Sequence, residues 1–290
     1  MTANQIKRRV KQWLPRAVFE FIQKIRVRGY QPPPEALALK RAFEERQSVC
    51  QSEDQIALRD DVVLRIDPQS REPFEWFCWR SMPMAAEMDE FIERARGAKT
   101  FADVGANHGI FSLVFLRVNP EGHVISVDPS PIAGEIRRRN RELNGMEAAM
   151  SLHDVACGSA AGNVRMHFNW HHLEVVGAGQ HREDDVDVKV KTLDELCARD
   201  GLQPDLVKID VEGFELEVLK GAERALAAAR LLFLEIHPEL LDQLKCPPSE
   251  IYQWLTERGW TVRSLEGRAF DAATFADQIH TFWTVCEKAA

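Results

Sequence analysis

From residue 100 onward, short apolar runs alternate with amphipathic stretches, and this alternation decides the class of fold. Thr100–Val104 is an apolar run of strand length, and Gly109–Val118 follows at helical spacing. His123–Asp128 returns to strand, Pro131–Asn144 to helix and Met150–Val155 to strand. Leu193–Arg199 and Glu215–Ala229 read as later helices, and Leu206–Ile209 and Leu231–Ile236 as later strands. Strands separated by helices make a parallel sheet with right-handed crossovers and helices on both faces. A helix is expected at 249–258. The strands at 260–265 and 281–286, with only loop-rich sequence between them, are expected to pair antiparallel at one edge. Asn163–Phe168 and Val186–Val190 alternate apolar and polar residues, which predicts a pair of strands around a long polar loop.

The first hundred residues are built differently. In residues 1–28, Ile6, Val10, Trp13, Leu14, Ala17, Val18, Phe21 and Ile25 recur at helical spacing among Lys and Arg. That head carries a charge of +7, leaving −15 on the rest of a chain whose formal charge is −8. So acidic a body is a poor nucleic-acid surface, whereas the basic helix suits a peripheral membrane or an acidic protein partner. Pro32, Pro33 and Pro34 form a stiff break before a second helical stretch at about 35–50. Short strands are expected over 56–80 around Asp67 and Pro68, with the aromatic run Phe74–Trp79 in strand, and a helix from Pro83 to about Arg96. The expected organisation is a basic helical extension at 1–50, a small strand and helix subdomain at 51–98, and the main domain at 99–290.

Six cysteines are scattered without a CxxC pair, which argues against a zinc site or a disulfide framework. No run of about 18 apolar residues exists, and the head lacks the apolar core of a secretory signal. A cytoplasmic protein with reduced thiols is the expectation.

The loop Asp103-Val104-Gly105-Ala106-Asn107-His108-Gly109 joins the first strand of the regular pattern to its helix. Ligands bind at the carboxyl ends of strands in such sheets. Gly105 permits a tight turn and a close ligand, and Gly109 opens a helix whose free N–H groups can meet a carboxylate. Asn107 breaks the G-x-G-x-x-G dinucleotide fingerprint, and an acid leads the loop. Asp103 is expected to hold an ammonium. Asp128, about 20 residues on, suits ribose hydroxyls, and Asp154 at the third strand end suits an adenine amino group.

These residues resemble the class I S-adenosylmethionine methyltransferases. The downstream segments Val190-Lys191-Thr192-Leu193-Asp194-Glu195-Leu196, Lys208-Ile209-Asp210-Val211-Glu212-Gly213-Phe214-Glu215 and Val218-Leu219-Lys220-Gly221-Ala222 resemble the FkbM methyltransferase family over about residues 100–240. His108 departs from the apolar residue common at its place. The resemblance implies a doubly wound, mostly parallel seven-stranded Rossmann-like sheet, S-adenosylmethionine as cofactor, and O-methylation of a sugar, glycan or secondary metabolite.

Such chemistry needs a base near the acceptor hydroxyl. The fourth and fifth strand ends carry Asp210 and Glu212, then Glu235 and His237. Asp210 or His237 is the expected base, His237 because imidazole titrates nearest neutral pH, with Glu235 orienting it. Glu212 is expected to anchor the next helix. Asp210, Glu235 and His237 have metal-binding chemistry, but no HxxxH-type spacing supports a cation, so none is assigned. Trp170 in the polar loop suits a lid, and the aromatic run at 74–79 suits a sugar-binding face. The competing readings are a non-catalytic nucleotide-binding scaffold and an N-methyltransferase. Asp210-Val211-Glu212-Gly213 disfavours the latter, standing where an N/D-P-P-Y/F segment would be expected.

Overall fold

The structure is a computed structural model that describes residues 34–59, 61–78, 83–169, 172–176 and 185–288. The basic head, Trp79, and Trp170 and His171 of the polar loop lie outside the described residues. The chain divides into two compact units between Asp89 and Glu90.

The first unit holds α1 (Pro34–Gln47) and a hairpin of β1 (Gln55–Arg59) and β2 (Val62–Arg65), with Ile56 opposite Leu64. The Gln47 side-chain amide imitates a strand neighbour: its Nε2 donates to the Ala57 carbonyl at 2.8 Å and its Oε1 accepts from the Ala57 N–H at 2.9 Å. The expected strand through the aromatic run is a helix instead. Asp67 accepts from the Gln69 N–H at 2.9 Å, Pro68–Ser70 make a 3₁₀ turn, and α2 (Arg71–Trp76) follows. Pro73 explains the difference. It offers no N–H to a strand ladder but is tolerated in the first helical turn, where that N–H would have no partner. Phe74 is buried, so the run presents no alternating strand face to a sugar. α3 (Pro83–Ala95) carries the chain into the second unit.

That unit runs β3 (Thr100–Val104), α4 (Ile110–Val118), β4 (His123–Val127), α5 (Pro131–Leu143), β5 (Met150–His153), β6 (Ala156–Cys157), β7 (Gly162–Asn169), β8 (His172–Val175), β9 (Val186–Lys191), α6 (Leu193–Asp200), β10 (Leu206–Ile209), α7 (Glu215–Lys220), α8 (Glu223–Ala228), β11 (Leu231–Ile236), α9 (Pro238–Gln243), α10 (Pro248–Glu257), β12 (Trp260–Ser264), α11 (Ala272–Ala276) and β13 (Phe282–Lys288). The main sheet is seven-stranded in the order β5-β4-β3-β10-β11-β13-β12. The five strands from β5 to β11 are parallel, and β13 lies antiparallel between β11 and β12. This is the doubly wound, mostly parallel fold expected, with the antiparallel pair at its edge. β7 and β9 pair as anticipated, and β6 and β8 extend them into a separate four-stranded sheet.

One expected helix, Glu215–Ala229, is two. Gly221 separates α7 from α8, and a Cβ there would lie 1.9 Å from the Gly158 carbonyl oxygen. The chain bends at this crossing because only a glycine lets the two backbones approach so closely.

Two packed faces hold the sheet. Phe91, Phe101, Phe111, Phe115 and Phe233 pack on one, with ring centroids 4.9 to 5.4 Å apart. Val104, Ile209, Leu234, Leu219 and Trp254 belong to the core on the other. All six cysteines are free, and burial pushes the thiols of Cys78, Cys157, Cys197 and Cys286 up, so they stay protonated. Among the described residues no helix is long and apolar enough to cross a membrane.

Candidate active site

The sheet order reverses between β3 and β10. The crevice at their carboxyl ends is therefore the topological switch point, where open α/β sheets bind ligands. The loop from β3 to α4 lines one side. Asp103 is 1% exposed, and its Oδ2 accepts from the Ser112 N–H at 3.0 Å and the Ser112 hydroxyl at 2.6 Å. Gly109, the residue before α4, has no side chain to satisfy the helix's first N–H groups, and Asp103 does so from the neighbouring strand. The expected ammonium ligand thus spends that oxygen on fixing α4. Burial raises the Asp103 pKa to about 6 against the pull of Lys208 and the Ser112 hydrogen bond.

Gly105 is needed for a different reason from the one the sequence suggests. Its φ is +81°, and an added Cβ would sit 1.7 Å from the Asp210 carbonyl oxygen. The loop therefore lies against the end of β10, and glycine serves that contact. The N–H groups of Gly105 and Ala106 donate to the Val127 carbonyl at 2.9 and 3.0 Å. The Asn107 N–H donates to Asp128 Oδ2 at 2.8 Å, with Asn107 at φ +47°. Gly109, at φ +83°, leaves room for Arg137, whose Cγ would lie 3.0 Å from a Cβ there.

Asp128 is 8% exposed, and its Oδ1 accepts from the Ser130 N–H at 2.8 Å. The Asn107 and Ser130 N–H groups together orient the Asp128 carboxylate at the end of β4. Asp154 accepts from Arg137 at 3.0 Å and Arg138 at 3.1 Å. The fully buried Arg137 also donates to the carbonyls of Asp128 and His153 at 3.4 Å. Asp103, Asp128 and Asp154 therefore end three adjacent strands, joined through Asn107 and Arg137.

The other side of the crevice is an acid cluster around one imidazole. The buried Lys208 lies 4.5 Å from the centroid of the Phe111 ring and donates to Asp210 Oδ2 at 3.1 Å. Burial pushes the Asp210 carboxyl up, but Lys208, His237 and hydrogen bonds from Lys208 and Glu235 outweigh it and hold its pKa below the ordinary value. His237 Nδ1 meets Glu215 Oε1 at 2.7 Å. Its Nε2 lies 3.5 Å from Glu212, 3.6 Å from Glu235 and 3.9 Å from Asp210. Burial alone would depress this imidazole. The hydrogen bond to Glu215 and the charges of Glu212, Glu215 and Glu235 raise it instead to about 10.

Two expectations change here. An imidazole held protonated has no lone pair to act as a base at neutral pH, so the argument from its ordinary pKa fails. Its orientation comes from Glu215 rather than Glu235. Glu215 also accepts from the Gly213 N–H at 3.0 Å, and so takes the helix-anchoring role expected of Glu212. Asp210, Glu212 and His237 bring potential ligand atoms within 4.8 Å of one another. Sequence reasoning gave no role to Lys208, Glu215, Ser112 or Arg137. Lys208 and Glu215 stand inside the motif it singled out, and a lysine in a buried strand was the available signal.

Residues 103–261 match the methyltransferase FkbM domain family. The methyltransferase sdnD of Sordaria araneosa is 31% identical over 155 residues, covering 42% of this chain and 59% of that protein. The hexuronic acid methyltransferase AglP of Haloferax volcanii is 27% identical over 166 residues, covering 55% of this chain and 66% of that protein. The 2-O-methyltransferase NoeI of Sinorhizobium fredii is 25% identical over 169 residues, covering 50% of this chain and 66% of that protein. The chain thus spans less than two thirds of the length of each of these relatives. The matched span starts at Asp103 in the glycine loop and extends past His237, enclosing both sides of the crevice, and the chain belongs to the FkbM methyltransferase family.

Proposed function

We propose that this protein is an S-adenosylmethionine-dependent O-methyltransferase acting on a hydroxyl of a sugar, glycan or secondary metabolite. One observation carries the reading: Gly105 abuts Asp210, so the edge suited to a nucleoside and the acid cluster suited to an acceptor meet at one point. The residues present fit the cofactor. Asp128, oriented by the Asn107 and Ser130 N–H groups, suits the ribose hydroxyls, Asp154 is held by two arginines at the adenine end, and the loop Gly105–Gly109 bounds the amino-acid end. Asn107 and Gly109 shape that loop through their left-handed backbone, and Asp103 acts beneath it by fixing α4. An acidic surround suits a ligand with cationic sulfonium and ammonium groups.

When bound, the cofactor supplies an electrophilic methyl group on a good leaving group. The chain's residues supply position and a proton acceptor. Asp210, kept ionised by Lys208 and His237, takes the proton from the acceptor hydroxyl. With the cofactor held by Asp128, Asp154 and the Gly105–Gly109 loop, that oxygen would take the methyl group, the C–S electrons leaving on sulfur. The His237 cation, fixed by Glu215, balances the carboxylates. The names hexuronic acid methyltransferase and 2-O-methyltransferase among the relatives support a sugar as acceptor class. The basic head and its charge suit contact with an acidic membrane surface or protein, and the acidic body disfavours nucleic acid.

Titration calorimetry with S-adenosylhomocysteine tests the cofactor, and methyl transfer from labelled donor across uronic acids, neutral sugars and phenols tests the acceptor. Micromolar binding with label on a sugar oxygen is expected. No binding would favour the scaffold reading, and label on nitrogen would overturn the O-methyl assignment.

A further inference from the structure

We infer that Asp210, Glu212 and His237 form a divalent-cation site at the ends of β10 and β11, which receives the oxygen atoms of the acceptor. The inference rests on the methyltransferase reading for its role but not for its ligands. Sequence spacing gave no support for a metal, because the ligands come from two strands joined only in the fold. Asp210 and Glu212 flank the turn after β10, and His237 follows β11, its neighbour in the sheet.

The distances in this cluster fit a shared cation as well as an ion-pair network. Nε2 of His237 makes no hydrogen bond of normal length to the carboxylates that surround it, at 3.5, 3.6 and 3.9 Å. Ligands that share one metal at bond lengths of about 2.1 Å stand about 3.0 to 4.2 Å from one another. The separations from Nε2 fall within that range, and one ligand atom from each of Asp210, Glu212 and His237 lies within 4.8 Å of the others.

A second observation points to a ligand independently. The His237 side chain is 8% exposed, and its other nitrogen is already fixed by Glu215 at 2.7 Å. Metal-bound imidazoles are held in this way, with the far nitrogen donating to a carboxylate that sets tautomer and ring orientation. Glu215 is itself fully buried and anchored on the Gly213 N–H. The arrangement thus spends one buried glutamate on aiming Nε2 into a ring of carboxylates that it does not hydrogen-bond.

Carboxylates with one imidazole suit Mn²⁺ or Mg²⁺, with positions left for water or substrate oxygens. A cation here would take the acceptor hydroxyl, and a neighbouring hydroxyl or carboxylate, as its remaining ligands. Coordination would make that hydroxyl a stronger acid. Its proton would pass to solvent water, and the deprotonated oxygen would then form the C–O bond to the methyl group. Loading the site releases the Nε2 proton of His237 to solvent.

The test is Mn²⁺ binding to the full chain, followed by electron paramagnetic resonance, with S-adenosylhomocysteine affinity measured on the same samples. One bound Mn²⁺ per chain is expected. Glu212→Gln and Asp210→Asn should each weaken it at least about 10-fold, and Glu215→Gln, acting by positioning, by about 10- to 100-fold. Glu239→Gln, on the exposed start of α9, should leave it unchanged. Normal S-adenosylhomocysteine binding without Mn²⁺ binding overturns the metal site and leaves the methyltransferase reading standing. Mn²⁺ binding indifferent to both ligand variants overturns it as well. Failure to bind S-adenosylhomocysteine, with Mn²⁺ bound and lost in Glu212→Gln, removes the methyltransferase reading and keeps the site.

Discussion

Gly105→Ala tests the claim that the two sides of the crevice are built against each other. At φ +81° an L side chain costs about 1–2 kcal/mol. The new Cβ would stand 1.7 Å from the Asp210 carbonyl oxygen, where ordinary contact begins at 3.4 Å, so the loop and the end of β10 must part by about half that contact distance. Overpacking of this kind adds about 1–3 kcal/mol, giving a total of about 2–5 kcal/mol. For a unit of this size each kcal/mol lowers Tm by about 2–4 °C, so a fall near 10 °C is expected. Gly145→Ala is the control, because Gly145 shares the left-handed φ, at +64°, but has nothing within 4 Å of an added Cβ. It should show the conformational cost alone. Scanning calorimetry gives Tm, and titration with S-adenosylhomocysteine reports the loop. The reasoning is refuted if the two variants melt within about 2 °C of each other and both bind as the parent does.

Asp128→Ala should weaken S-adenosylhomocysteine at least about 30-fold by calorimetry, since charge-assisted hydrogen bonds to two ribose hydroxyls are lost; unchanged affinity would remove Asp128 from the site. Asp103→Asn should alter the pH dependence of stability. The folded carboxyl binds its proton below about 6 and the unfolded one only below about 3.9, so the parent should gain about 2 kcal/mol over the variant between about pH 7.5 and pH 4.5. A pH-independent difference in urea melts would contradict that. With a folded pKa of about 10, His237 contributes stability that is complete below about pH 6.5 and lost as pH rises through 10. Glu215→Gln keeps an acceptor but removes the charge, and should lower the His237 titration by about one unit in NMR; an unmoved titration would reject the pairing. Gly221→Ala, where φ is −87°, should cost the overpacking part alone, about 1–3 kcal/mol, without touching ligand affinity, because its 1.9 Å clash with the Gly158 carbonyl oxygen lies at the α7–α8 bend; full retention of Tm would refute the contact.

The sheet was legible because its strands are buried on both faces and therefore read as unbroken apolar runs. Leu206–Ile209 and Leu231–Ile236 fall where the pattern puts them. That Asp128 would stand at the end of β4 was legible from its spacing after the glycine loop. What stayed hidden depends on meetings between distant segments. The bend at Gly221 is imposed by Gly158, and the glycine at 105 by Asp210. Glu215 and His237 meet only because β11 lies beside β10. Periodicity cannot show which of several acids will hold one imidazole, nor how far its pKa will move. Lys208 was hidden for the opposite reason. A buried strand reads as apolar, and its one cation looks like noise until the carboxylates beside it are placed.

The place of β13 constrains how the sheet is completed. It lies between β11 and β12, although both precede it in the chain. On the ribosome, the half of the sheet that begins at β3 can assemble while β12 has nothing to pair with. Until β13 emerges, β11 offers a row of unbonded amides and carbonyls to any passing strand. The nascent protein thus spends its most aggregation-prone interval waiting for one short segment, and changes to Phe282–Lys288 should lower soluble yield more than their effect on the finished fold would suggest.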